Sequence, residues 1–126
     1  MIRFAGLFGA LAVLTGAFGA HALKERLPAD LLAVWNTGAH YHLVHAAVLL
    51  ALGLVGARDA RVRLPFLLIA AGVAIFSGSL YALALSGIRP LGAVTPIGGV
   101  LMVAGWISIA WVLGAKGSSS TSRGER

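Results

Sequence analysis

Three of the chain's four histidines, a tyrosine and a tryptophan fall within eleven residues, Trp35-Asn36-Thr37-Gly38-Ala39-His40-Tyr41-His42-Leu43-Val44-His45. Neutral imidazoles can ligate transition metals, relay protons, or simply donate and accept hydrogen bonds. At 100° per residue Gly38, Tyr41, His42, His45, Leu49, Leu52 and Gly56 share one helical face, while His40 points elsewhere. The fourth histidine, His21, closes an earlier apolar run. His21, His42 and His45 are therefore the candidate ligands for a metal or a haem. Against a zinc site, three or four ligands are needed, and Glu25 and Asp30, the nearest carboxylates, belong to a connecting segment. There is no cysteine, which removes thiolate ligands, thiol nucleophiles and disulfides. No cofactor is expected on balance. Hydrolytic chemistry is the reading these residues support least, and a non-enzymatic role is expected.

The elements that hold these groups are membrane helices. The 126 residues are 59% hydrophobic and 11% charged, with a mean hydropathy of +0.91. A soluble domain carries about 25% charged residues. Four apolar runs, at about 4–23, 39–57, 64–86 and 96–113, each approach the roughly 20 residues that span a hydrocarbon core. Ala20-His21-Ala22 imitates a signal-peptidase site, but the first run is read as a retained span. Leu27, Leu31, Val34 and Trp35 recur at helical spacing behind Pro28. They predict a short amphipathic helix over 28–35 lying in the interface, ended by Asn36-Thr37-Gly38. The expected fold is all-α and integral to the membrane: an antiparallel bundle of four transmembrane helices over 1–115, with a polar disordered tail over 116–126.

Small residues let helices approach closely in lipid. Gly6, Gly9, Ala12, Gly16 and Ala20 should therefore face the bundle, with Leu7, Leu11, Leu14 and Phe18 facing lipid. Trp35 and Trp111 are expected as interfacial anchors, and Thr95 before Pro96 as the cap of the fourth helix. Seven Lys/Arg (Arg3, Arg58, Arg61, Arg63, Lys116, Arg123, Arg126) mark one side against three (Lys24, Arg26, Arg89) on the other. The positive-inside rule then places both termini in the cytoplasm of a multi-pass inner-membrane protein. His21, Tyr41, His42, His45, Ser77, Tyr81 and Thr95 gather in the outer half. The basic excess, ten Lys/Arg against four Asp/Glu, is assigned to lipid head groups and not to nucleic acid.

Gly16-Ala-Phe-Gly-Ala-His-Ala-Leu23, Trp35-Asn-Thr-Gly-Ala-His-Tyr-His-Leu-Val-His-Ala46, Phe76-Ser-Gly-Ser-Leu-Tyr81 and Thr95-Pro-Ile-Gly-Gly99 occur in that order. With these motifs the chain resembles the small membrane family known as domain of unknown function 423. These are the YgdD/YwdK-like proteins related to transmembrane protein 256. The resemblance implies a four-helix inner-membrane protein and supplies no catalytic residue. The polar cluster of His21, Tyr41, His42, His45, Ser77 and Tyr81 is favoured as hydrogen bonding between helices. The expected role is a small accessory or scaffold protein that packs against itself or a larger membrane complex. The alternatives are an oligomeric transporter or channel for a small solute, ion or proton, and a metal- or haem-binding protein.

Overall fold

In the computed structural model, which describes residues 1–114, four helices account for most of the chain. They are α1 (Ile2–Phe18), α2 (Ala29–Gly56), α3 (Arg63–Ser86) and α4 (Thr95–Gly114). A π-helical turn, Gly19–Leu23, extends α1, and 3-10 turns, Ala60–Val62 and Arg89–Ala93, precede α3 and α4. With those turns counted, all four are long and apolar enough to cross a membrane, and the described residues contain no strand. This is the all-α, four-span membrane architecture read from the apolar runs. The expected tail over 116–126 lies outside the described residues.

The helices pack antiparallel, and close approaches at glycines set their register. On α1 and α2, Gly53 faces Ile2 and Gly9 faces Ala46, while Gly19 faces Trp35. On α3 and α4, Gly105 faces Ile69, Gly72 faces Met102, and Gly98 lies against Phe76. The α3–α4 seam is the tightest: a β-carbon on Gly98 would stand 2.5 Å from the Phe76 backbone nitrogen and 2.6 Å from the Gly72 carbonyl. Helices α2 and α3 form the middle of the molecule, with α1 against α2 and α4 against α3. Among the described residues, α1 and α4 do not approach each other at backbone level. The core between them, around Leu49, Leu52, Val62, Phe66, Ile69 and Val73, is fully buried. Leu7, Leu11, Leu14 and Phe18 are exposed on the far face of α1, as expected of lipid-facing side chains. The inward face of α1 is narrower than expected, since Gly6 and Gly16 would meet nothing with a β-carbon, Ala20 is exposed, and the buried positions of α1 are Ala5 and Ala12.

One expected element is not separate. Residues 28–35 do not form a distinct interfacial helix; from Ala29 they are the opening turns of α2, which runs unbroken to Gly56. Its 28 residues reach about 42 Å at 1.5 Å per residue, longer than the roughly 30 Å hydrocarbon core. The first turns can therefore stand at head-group depth without a break. Asn36-Thr37-Gly38 is helical within α2. The Thr37 hydroxyl donates back to the Ala33 carbonyl at 3.0 Å. Gly38 is a packing glycine, where a β-carbon would come within 3.1 Å of the Tyr81 ring and 3.3 Å of Leu80. At the opposite end Asp59 accepts from the Arg61 backbone N–H, Nε and Nη2, each at 3.1 Å, and so fixes the short α2–α3 connection.

Gly98→Ala should separate α3 from α4 and destabilise the protein by about 1–3 kcal/mol, the usual cost of overpacking. Gly78→Ala, where a β-carbon meets nothing within 4 Å, should be close to neutral. Thermal unfolding in detergent compares the two directly.

Candidate functional site

The polar groups gather where α2 and α3 pack against the end of α1 on one side and against α4 on the other. Thr15 is the hub on α1. Its hydroxyl donates to the Ala12 carbonyl at 3.0 Å and accepts from the Tyr81 hydroxyl at 3.1 Å. The Thr15 carbonyl accepts the Trp35 indole N–H at 2.9 Å. Trp35 is 4% exposed, with its ring 4.4 Å from that of Tyr81 and 5.8 Å from that of Phe18, centroid to centroid. It is a buried strut among α1, α2 and α3, not an anchor standing free in the head-group layer. The π-helical turn accommodates it, since a β-carbon on Gly19 would sit 2.6 Å from the indole. Ser77 on α3 donates to the Gly38 carbonyl of α2 at 2.8 Å, fully buried. Ser79 donates to the Phe76 carbonyl, so its 2.7 Å contact with Thr95 takes the Thr95 proton. Thr95, the first residue of α4, thus ties α4 to α3 through its side chain.

Counting protons along these bonds assigns the histidines. A hydroxyl has one hydrogen. Thr15 gives its own to Ala12 and Tyr81 gives its own to Thr15, so at the 3.2 Å contact with His42 Nδ1 the Tyr81 oxygen accepts. His42 therefore carries its proton on Nδ1. His45 Nδ1 meets the Tyr41 carbonyl at 2.8 Å, which can only accept, and its Nε2 accepts the Trp106 indole N–H at 3.3 Å. His45 is thus the same tautomer with both nitrogens satisfied. His42 is not: its Nε2 is buried and has no hydrogen-bond partner. The Phe8 backbone lies beside the ring, but a carbonyl cannot donate to a lone pair. The Phe8 ring covers the imidazole, 4.3 Å centroid to centroid.

Of the residues singled out from the sequence, His42 and Tyr81 join one network, Ser77 bonds the Gly38 carbonyl apart from it, and all three line a cavity of about 220 Å³ between α1 and α3. His45 belongs to a separate contact with α4. Tyr41 is partly exposed; its ring packs on Phe76 and lies parallel to the His45 ring at 5.9 Å. His21 is exposed on the π-helical turn and is not brought to His42 or His45 by any bond, and His40 is exposed. Among the described residues no three His, Asp or Glu side chains come together to hold a metal ion. Trp111 is 81% exposed near the far end of α4.

The residues that sequence reading passed over are Thr15, Trp106 and Phe8. Two of them carried a signal. Thr15 is the one hydroxyl residue in the first span, and Trp106 is a tryptophan well inside the fourth, where its N–H needs an acceptor. Phe8 carried none.

Residues 15–99, from the Thr15 hub to the glycines after Thr95, match the family described as protein of unknown function DUF423. The chain belongs to this family. It is 45% identical to a UPF0382 membrane protein of Staphylococcus saprophyticus, over 79% of this chain and 83% of that one. It is 43% identical to the UPF0382 membrane protein YwdK of Bacillus subtilis, over 79% and 83%. It is 42% identical to the UPF0382 inner membrane protein YgdD of Escherichia coli, over 84% and 82%. No solved structure matches. Like the relatives of its DUF423 family, this chain is a membrane protein, and the polar network from Thr15 to Thr95 falls inside the stretch the family match covers.

Tyr81→Phe removes the hydroxyl that accepts from His42 and donates to Thr15, leaving His42 Nδ1 without a partner and Thr15 without its donor. It should destabilise the protein by about 1–3 kcal/mol. Ser86→Ala, which loses only exposed local bonds, one to the Ala82 carbonyl and one from the Ile88 N–H, should change little. Unfolding in detergent, with helicity checked by circular dichroism, separates the two outcomes.

Proposed function

We propose that this DUF423 protein is a non-enzymatic accessory or scaffold protein of the inner membrane, in which the His/Tyr cluster locks the outer end of the bundle. The observation that carries the reading is where the hydrogen bonds go. Thr15, Trp35, His45, Ser77, Tyr81, Thr95 and Trp106 each bond a neighbouring helix through a side chain. Bonds between membrane helices are worth about 0.6–2 kcal/mol each, and several at one end give a rigid unit. A proton relay needs a chain of hydroxyls and imidazoles open at both ends. Here the run from His42 through Tyr81 to Thr15 stops on the Ala12 carbonyl, which argues for a structural use over conduction.

The partner-facing surfaces in this reading are on α1 and α4, each buried along one narrow stripe while α2 and α3 are enclosed on both sides. A second copy of the chain or a larger membrane complex would pack there. The orientation follows from charge. Arg3, Arg58, Arg61 and Arg63 stand at the end opposite the cluster, against Lys24, Arg26 and Arg89 at its own end, which supports cytoplasmic termini.

Extraction of native membranes into lipid particles, followed by cross-linking from cysteines placed at Val103 on α4, tests the reading. A discrete cross-linked partner or dimer is the expected result. A monomer that catalyses ion or solute flux in liposomes would overturn it. In the same account His45→Leu leaves the Trp106 N–H without its acceptor and should lower stability by about 1–2 kcal/mol. His40→Leu, at an exposed position, should not.

A further inference from the structure

The cavity between α1 and α3 backs onto a polar group that the hydrogen bonding leaves incomplete, His42 Nε2, which is itself buried in a ring that the Phe8 ring overlies. His42 is 3% exposed and lines the cavity together with Phe8, Leu11, Ser77, Gly78 and Tyr81. Its Nδ1 proton is committed to Tyr81, so Nε2 presents a lone pair and no hydrogen. Protonating that nitrogen would bury a cation with no carboxylate beside it, which is costly in hydrocarbon. The group that completes His42 must therefore bring its own donor. Ser77 cannot, because its hydrogen goes to Gly38. Every other donor at the site is also in use.

We propose that this cavity is a binding site for a neutral amphiphile carrying a single hydroxyl on a compact apolar head, of the alkylphenol or fatty-alcohol type, with the hydroxyl donating to His42 Nε2. Size and access both fit. A cavity of about 150 Å³ holds benzene, so about 220 Å³ takes a ring with its hydroxyl. Leu11 and Gly78 on the rim are exposed, so the opening faces sideways between α1 and α3, and an alkyl tail can remain in the lipid. The walls are otherwise apolar, which disfavours a charged or strongly hydrated ligand. The Phe8 ring lies over the imidazole and has to turn aside as the hydroxyl arrives. The site stands independently of the accessory role, since a scaffold protein can hold a small lipid and a ligand-binding protein need have no partner.

The test uses full-length protein with 15N-labelled histidine in lipid nanodiscs, titrated with 4-hexylphenol and, separately, with its methyl ether 4-hexylanisole. The phenol should move the His42 Nε2 resonance saturably and leave His45 unchanged. The methyl ether, matched in shape but without the donor, should bind at least tenfold more weakly. Gly78→Leu fills the rim at a position where a β-carbon meets nothing within 4 Å, so the fold should survive while the shift is lost. An unchanged His45 resonance in that variant confirms folding. Equal responses to phenol and ether, a response that survives Gly78→Leu in folded protein, or no response of His42 at all would each overturn the proposal.

Discussion

A polar side chain inside a bilayer has no water to return to, so each of its donors and acceptors is met by another part of the protein or left as a cost. That constraint organises this molecule. The polar groups are few and crowd towards one end. There, side chains on one helix bond the backbone or side chain of the next: Trp35 to Thr15, Ser77 to Gly38, Tyr81 to Thr15, Thr95 to Ser79, Trp106 to His45. Without hydrophobic collapse to draw helices together in lipid, such bonds and close packing are what remains. The structure uses both, packing along the α3–α4 seam and bonds where Thr15, His42 and Tyr81 meet.

The two depend on each other. Ser77 reaches the Gly38 carbonyl because position 38 has no side chain to hold α2 and α3 apart. Trp35 reaches Thr15 because Gly19 leaves room for the indole. Along α3 and α4, Gly72, Gly98 and Gly105 bring the backbones close enough for the Thr95 hydroxyl to donate to Ser79. Glycine costs helical propensity in water, but between membrane helices it sets the distance over which a short hydroxyl can act.

Much of this was legible in the sequence. The four spans follow from length and apolarity alone. The inward placement of His42 and His45 follows from their depth and from the helical face they share. The lipid-facing side of α1 follows from its leucines. The continuous α2 was not legible, because Asn36-Thr37-Gly38 has the composition of a break and its packing against α3 at Gly38 is a tertiary contact. Nor was the burial of Trp35. A tryptophan at the mouth of a span is a belt residue by default, and only the π-helical turn at Gly19, seen in three dimensions, makes room for it. His21 was grouped with His42 and His45 as a candidate ligand by residue type, yet it lies exposed on the same turn. The tautomers needed the hydrogen-bond directions, which no sequence contains.

The central claim is that bonds between helices at the Thr15–Tyr81 end hold the bundle together, and a double-mutant cycle on that pair tests it most directly. Thr15→Val, Tyr81→Phe and the double variant, unfolded reversibly in bilayer-like particles, yield the coupling energy between the two hydroxyls. A favourable coupling of about 0.6–2 kcal/mol is predicted, the range found for hydrogen bonds between membrane helices. Strict additivity of the two substitutions would contradict the account.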